Sequence, residues 1–317
     1  MPETVSVIIP TYNYARFLPL AIESVLAQTR PADEIIVVDD GSTDATASVV
    51  ARYNERGVRY FYKENGGVSA ARNLGIRESH GSLIAFLDSD DEWLPDKLAL
   101  QVAHFSAHPS VGLVTGSEWE VDDAGTRAAW LNSRPPLGAR VMYPQILVEN
   151  LVGTPSLVML RRRCLHRVGM FDEQIGLAQD WDLWIRIARE YPIGIIGAPL
   201  IRYRRHGASM SSGSVWRRYR SNRAFQHRHI RPIADPLLRA RLLLSAQSMN
   251  LFYTAARMSE GQTQRGPALG MAALTVLLDP FYRARLKWGL LARLILGEGA
   301  PGLARRHAPE HGMEQCG

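Results

Sequence analysis

Short apolar, β-branched runs alternate with segments of helical periodicity over roughly the first hundred residues of this chain. Val5-Ser6-Val7-Ile8-Ile9, ending at Pro10, has the pattern of a strand, and Leu18, Ile22, Val25 and Leu26 fall on one helix face that Gln28-Thr29-Arg30-Pro31 closes. Glu34 to Val38, Val58 to Tyr62 and Leu83 to Leu87 give three further strands. Helices are predicted from near Ala45, where Ser42, Thr43 and Asp44 supply caps, from Ala70 to Glu78 behind Gly66-Gly67-Val68-Ser69, and from Pro95 to Phe105. This rhythm predicts an α/β fold with a mostly parallel sheet, right-handed crossovers and helices on its faces. Ligands of such sheets sit beyond the carboxyl ends of the strands. Pro10-Thr11-Tyr12-Asn13, Asp39-Asp40 and Asp88-Ser89-Asp90 are therefore expected to face one crevice.

The pattern changes beyond Trp216. Residues 217 to 280 read as helices, with Leu237, Leu238, Leu242, Leu243 and Leu244 and later Met271 to Leu278, separated by a turn near Gly261. Phe281 to Leu296 interleaves Arg283, Arg285, Lys287 and Arg293 with Phe281, Leu286, Trp288, Leu290, Leu291, Leu294 and Ile295. That pattern suits an interfacial amphipathic helix, or a helix packed on the preceding α/β domain. The formal charge of +6 is unevenly spread: residues 201 to 317 hold 19 Lys or Arg against 6 Asp or Glu, and the first 200 hold 18 against 25. A basic tail suggests an anionic lipid surface or nucleic acid; no aromatic-basic RNA motif, zinc-finger spacing or helix-turn-helix signature favours nucleic acid. The two cysteines, Cys164 and Cys316, make no disulfide framework, Met1-Pro2-Glu3-Thr4 has no basic leader, and no apolar run is long enough to span a bilayer. The expected location is cytoplasmic, with a peripheral place on the inner face of the plasma membrane. The expected organisation is an α/β domain over residues 1–215, a helical region over 216–298 and a disordered tail over 299–317.

The sharpest chemical signal is Leu87-Asp88-Ser89-Asp90-Asp91, acids placed directly behind a buried strand. Asp88 and Asp90 lie two apart, so in an extended segment both leave from one side and can converge on Mg2+ or Mn2+. The plainer reading is a solvated acidic turn, with Asp91 capping the helix at Pro95. The triplet Arg161-Arg162-Arg163 reads as a solvated basic edge or a contact for an anionic acceptor.

Ile9-Pro10-Thr11-Tyr12-Asn13, Asp39-Asp40-Gly41-Ser42-Thr43-Asp44, Gly66-Gly67-Val68-Ser69-Ala70-Ala71-Arg72-Asn73-Leu74-Gly75 and Leu87 to Asp91 stand in a distinctive order and spacing. In these blocks the chain resembles family 2 glycosyltransferases of the GT-A fold, over about residues 4 to 212. Gly169-Met170-Phe171-Asp172-Glu173 and Gln179-Asp180-Trp181-Asp182-Leu183-Trp184-Ile185-Arg186 resemble that family's acceptor-side block.

The resemblance implies a Rossmann-like GT-A domain with a C-terminal helical extension, a nucleotide-diphosphate sugar donor, usually UDP-linked, and a divalent metal, Mn2+ or Mg2+. Pro10, Thr11 and Tyr12 are the expected nucleobase contacts, and Asp39 or Asp40 binds base or ribose while the other serves as a cap or turn residue. Arg72 meets the diphosphate or base, or else partners an acidic turn. Asp88 and Ser89 complete the donor site; Asp90 is the expected metal ligand, with Asp88 holding ribose or a metal-bound water. Arg202 to Ser211 looks like the family's closing loop, whose His206 and Ser209 reach metal or diphosphate. Asp180 is the expected general base, and Gln179 stands where the family has Glu. Trp181 and Trp184, at i and i+3, are expected in the core. The implied activity is inverting transfer of a hexose-type unit to a hydroxyl of a glycan or lipid-linked saccharide in cell-surface polysaccharide synthesis. Its rivals are a nucleotidyltransferase and a degenerate GT-A domain that binds nucleotide sugar or glycan without turnover.

Overall fold

The structure is a computed structural model that describes residues 3–131, 136–206, 214–259 and 265–296. In chain order its strands are β1 (Val5–Thr11), β2 (Glu34–Asp39), β3 (Val58–Tyr62), β4 (Leu83–Phe86), β5 (Glu92–Trp93), β6 (Leu113–Val121), β7 (Arg127–Leu131), β8 (Leu137–Arg140), β9 (Met159–Arg161) and β10 (Ile193–Arg204). The helices are α1 (Leu18–Leu26), α2 (Thr46–Ala51), α3 (Val68–Glu78), α4 (Lys97–Ala107), α5 (Arg162–Val168), α6 (Gln179–Glu190), α7 (Val215–Ile230), α8 (Pro236–Ser259), α9 (Arg265–Leu278) and α10 (Ala284–Leu296).

The sheet runs β3-β2-β1-β4-β9-β6-β10-β5, with β7 beside β6 and β8 beside β10. From β3 to β4 all neighbours are parallel, as the sequence rhythm predicts. Beyond them β9 runs antiparallel to both β4 and β6, and β6 pairs parallel with β10. Every residue of β1 is buried. Val5, Val7 and Ile9 pack with Leu18, Ile22 and Val25 of α1 on one face, while Ile8 points into the opposite core with Phe86. Helices on both faces explain why these strands read as nearly unbroken apolar runs. At Gly75 an added Cβ would overlap the Ile8 side chain, so glycine lets α3 lie directly on β1. The chain runs β1 to β3 in one direction and then places β4 on the other side of β1. A crevice therefore opens beyond the carboxyl ends of β1 and β4.

Helix α6 is central to the second core. Trp184 is fully buried and Trp181 nearly so, as expected, and they share one apolar cluster with Phe225 and Ile230 of α7, Phe252 of α8 and Leu294 of α10. Asp182 of α6 adds a polar tie, 2.7 Å from Arg186 and 2.9 Å from His229 Nε2 of α7. Burial pushes the Asp182 carboxyl up, but His229 and Arg186 hold it below the ordinary range.

Two expectations need correction. Asp91 is neither solvated nor the cap of the following helix: it is 1% exposed, and Asp96 precedes α4. Arg161 and Arg162 are half-buried rather than a solvated basic edge, and Arg163 alone of the three is exposed. Arg161 donates to the Phe105 and Val111 carbonyls, Arg162 to the Gly81 and Ile76 carbonyls, and Arg163 to the Pro109 carbonyl. These carbonyls belong to the amino-end side of the central strands, away from the crevice. The expected tail, residues 299–317, and Cys316 lie outside the described residues. No described helix is long and apolar enough to cross a membrane.

The buried tie between α6 and α7 gives a stability prediction. Asp182→Asn leaves His229 and Arg186 without their charged partner and should cost about 3 kcal/mol in urea unfolding. Because the folded carboxyl is held low, its contribution is present above the ordinary carboxylate pKa and lost as pH falls through the folded value. The variant should therefore lose less stability than the parent over that acidic window.

Candidate active site

A cavity of about 1000 Å3 occupies the crevice. Pro10, Thr11, Tyr12, Asp40, Arg72, Asp88, Ser89, Asp90 and Asp180 all line it. Of the predicted site residues, Asp39 and His206 stand behind its wall.

The acidic turn after β4 is built around Asp91. Its two carboxylate oxygens accept from Ser156 Oγ at 2.6 Å and from the Arg204 backbone N–H at 3.0 Å. Ser156 Oγ in turn accepts the Asp88 N–H at 3.0 Å. The end of β4 is thus joined to the segment before β9 and to the end of β10. Arg204 adds a bond from Nε to the Asp90 carbonyl at 3.2 Å. Arg202 to Arg204 were expected to open a mobile closing loop; they finish β10 instead, and Arg204 is buried. Ser209 lies outside the described residues.

This turn aims Asp88 and Asp90 into the cavity. Asp88 Oδ1 accepts from Arg72 Nη2 at 2.6 Å, so Arg72 is the partner of an acidic turn as well as a cavity wall. His206 Nε2 lies 3.0 Å from Asp90 Oδ2, its ring steadied by Tyr14 and Phe17 with centroids 5.6 and 5.0 Å away. Burial, then the charge of Asp88, pushes the Asp90 carboxyl up, and His206 partly offsets this. Asp91 is raised further by burial and by both neighbours, and the same two acids, after burial, lift the Tyr14 phenol to about 12. Such crowded negative charge is relieved by a cation. Among the described residues no three acidic, imidazole or thiol groups enclose a metal ion by themselves. Asp90, Asp88 and His206 fit a divalent ion only with phosphate oxygens completing its shell.

Asp40, rather than Asp39, is the acid that faces the cavity. Its oxygens accept from Lys63 Nζ at 2.6 Å, Gly66 N–H at 3.0 Å and Gly67 N–H at 2.7 Å. Gly67, at φ 90°, takes a conformation that L residues rarely adopt, so Asp40 and this glycine together shape the entry to α3. Asp39, the last residue of β2, is buried rather than solvated and accepts from Ser42 N–H at 2.8 Å and Tyr60 OH at 2.6 Å. Thr11 Oγ1, Ser69 Oγ, and Nε and Nη1 of Arg72 are buried without partners among the described residues. All three side chains line the cavity, and each orphaned donor costs about 1–3 kcal/mol unless a ligand accepts from it.

Across the cavity, Asp180 stands in the first turn of α6 behind Ala178, whose left-handed φ of 65° turns the chain into the helix. Asp180 Oδ1 accepts the Trp181 N–H at 2.8 Å. Burial raises its carboxyl above the ordinary value, and Trp181 N–H and Arg72 only partly offset that. Gln179 beside it is buried in the same wall. Asn73, next to Arg72 on α3, accepts the Phe171 N–H at 3.0 Å and donates to the Phe171 carbonyl at 2.9 Å. One helix thereby holds both Arg72 and the stretch of chain that leads to Asp180.

Sequence reasoning passed over Ser156, Asn73 and the pair Glu118 and Glu120, which line the cavity from β6. Their spacing of two on a strand was the available signal. It also passed over Arg218, Asn222, Tyr253 and Arg257, which close the cavity from α7 and α8.

Comparison with known proteins fits this arrangement. Residues 6–169 match the model of glycosyl transferase family 2, and residues 136–230 that of glycosyltransferase like family 2. An uncharacterized glycosyltransferase of Rickettsia conorii is 37% identical over 64% of this chain, which spans about a third of that relative (34%). TuaG of Bacillus subtilis, a glycosyltransferase assigned to teichuronic acid biosynthesis, is 31% identical over 59% of this chain and 72% of its own. Among solved structures, residues 1–349 of S. aureus TarS in complex with UDP-GlcNAc superpose with TM-score 0.64, at 18% identity, over 93% of this chain and 92% of that one. The mannosyltransferase PcManGT of Pyrobaculum calidifontis, in complex with GDP-Man and Mn2+, gives 0.54 at 22% identity, over 93% and 87%. These structural likenesses establish the GT-A fold with its C-terminal helices, and the family model, covering more than half of the sequence, establishes that the chain belongs to glycosyltransferase family 2.

Proposed function

We propose that the protein moves a hexose-type unit from a nucleotide-diphosphate sugar, UDP-linked, to a hydroxyl of a glycan or lipid-linked saccharide, with inversion, in cell-surface polysaccharide synthesis. The observation that carries this reading is the single cavity that brings Asp88 and Asp90 and the raised carboxyl of Asp180 together. TarS with UDP-GlcNAc, PcManGT with GDP-Man and Mn2+, and TuaG in teichuronic acid biosynthesis support donor, metal and pathway class by analogy.

In this mechanism Tyr12, 46% exposed at the cavity rim, offers a face to the nucleobase, and Thr11 and the Asp40-held glycine turn approach base and ribose. Arg72 presents its two unpartnered nitrogens to the diphosphate. Asp90 and Asp88, with His206 beside them, would hold a divalent ion, which would stabilise electrostatically the charge that develops on the leaving diphosphate. Asp180 accepts the proton of the acceptor hydroxyl as its oxygen bonds to the anomeric carbon and the bond to phosphate breaks. A carboxyl raised by burial is a stronger base than an exposed one. One base, with no second carboxylate assigned as nucleophile, corresponds to inversion. Gln179 leaves that step intact, since one carboxylate suffices.

A second reading concerns location. Helix α10 buries Leu290 and Leu294 against the core, while Trp288 and Ile295, seven apart on it, are 53% and 64% exposed, and Phe281, just before the helix, is 89% exposed. The inner face is that of a packed helix. The outer stripe, with exposed Arg285 and the basic C-terminal charge balance, supports docking on an anionic bilayer beside a lipid-linked acceptor.

Three outcomes are expected. UDP should raise the melting temperature far more with Mn2+ than with EDTA, and Asp90→Ala should erase the difference; equal stabilisation in EDTA contradicts the metal assignment. Asp180→Asn should cut kcat about 100-fold or more with donor binding retained, and the parent's kcat/KM should rise with pH through a value above the ordinary Asp pKa. Binding of donor with no transfer to any acceptor would favour the non-catalytic domain. The protein should sediment with anionic vesicles at low salt, less at high salt, and lose this in Phe281→Ser with Trp288→Ser.

A further inference from the structure

The cavity does not end at Asp180. It continues along α7 and α8, whose side chains Arg218, Asn222, Asn250, Tyr253 and Arg257 complete its wall. Given glycosyl transfer as proposed above, on which this inference rests, an acceptor must reach Asp180 through this lobe. We propose that the acceptor is anionic, and that Arg218 and Arg257 together bind a phosphate or carboxylate group carried by the saccharide whose hydroxyl Asp180 deprotonates.

The argument begins with charge. Arg218 and Arg257 come from separate helices that pack side by side, and both are half-buried in the cavity wall. Arg257, Tyr203 and Asp180 are among the groups that act on Arg218; of these, after burial, the like charge of Arg257 is the largest influence and loosens the hold of Arg218 on its proton. Two guanidiniums on one cavity wall at the junction of two helices make that lobe locally positive and favour an anion beside them. Their planar forks match both carboxylate and phosphate oxygens. Asn222 and Asn250 lie in the same lobe and suit sugar hydroxyls.

Position separates this pair from the donor end. There Arg72 already sits on Asp88 at 2.6 Å, and the acidic turn has its own place for the diphosphate. Arg218 lies within electrostatic reach of Asp180, so a bound anion would fix the acceptor with a hydroxyl beside the base. The pair are positioning residues for the acceptor, not reacting groups.

The test is a ligand-observed NMR titration of the full chain, with UDP and Mn2+ present, using glucose, glucuronate and glucose 6-phosphate as probes. At least one anionic sugar should bind about tenfold or more tightly than glucose, and the better of the two distinguishes a uronate from a sugar phosphate. Arg218→Gln and Arg257→Gln should each remove most of that advantage while UDP affinity is unchanged, which also reports a folded variant. Arg257→Lys, which keeps the charge, should restore part of it. Equal binding of glucose and both anions by the parent overturns the proposal, as does an advantage that survives both Gln variants. A parallel fall in UDP affinity would overturn it by assigning the pair to the donor diphosphate. Failure of the parent to bind UDP would be a different result, defeating the donor reading itself and this inference with it.

Discussion

The active-site side of this structure depends on one buried carboxylate. Asp91 accepts from Ser156 and from the Arg204 backbone, and Ser156 accepts from Asp88. Three segments distant in sequence, following β4, preceding β9 and ending β10, are thereby fixed to one another. Without that junction Asp88 and Asp90 would be acids on a solvated turn, and His206, two residues beyond Arg204, would have no reason to meet Asp90. Keeping Asp91 buried among like charges is costly, as its raised pKa direction records, and its hydrogen bonds offset only part of that cost. Removing a partner would leave a buried acceptor unsatisfied, at about 1–3 kcal/mol or more.

Helix α3 and helix α6 then set the opposite wall. Gly75 seats α3 against β1, which carries Arg72 to Asp88 and Asn73 to Phe171. Asp182 ties α6 to α7, so the first turn that holds Asp180 is braced from behind by the C-terminal helices. Those helices bear on the site in two ways: they support the turn that carries Asp180, and they supply Arg218 and Arg257 to the cavity. Glu149 extends the connection, since it lines the cavity and is bound by Tyr253 of α8 and Arg283 at the start of α10.

How much of this was legible follows from how each part is encoded. Strands β1, β2 and β4 are buried on both faces, so their apolar runs announce themselves, and the polar clusters at their ends point to the crevice by topology alone. The far half of the sheet is different. β5 has two residues and β9 three, and both exist only because distant strands offer them partners. No local periodicity marks such elements. Asp91 was misread for a related reason: an acid after a strand resembles a helix cap until Ser156 and Arg204, remote in sequence, are brought to it. Asp180 was reached through resemblance, since an acid in a helix's first turn is otherwise an ordinary favourable charge. Arg218 and Arg257 sit in helices rich in arginine, and only the packing of α7 on α8 decides which of those arginines face inward.

The central claim is geometric: a single base, Asp180, receives the acceptor across the cavity from the turn that holds the leaving diphosphate. The stereochemistry of transfer tests it most directly. With an α-linked nucleotide sugar as donor, the anomeric proton coupling of the first product should report a β linkage by 1H NMR. An α-linked first product would mean net retention, as in two successive displacements at the anomeric carbon, and would contradict the account.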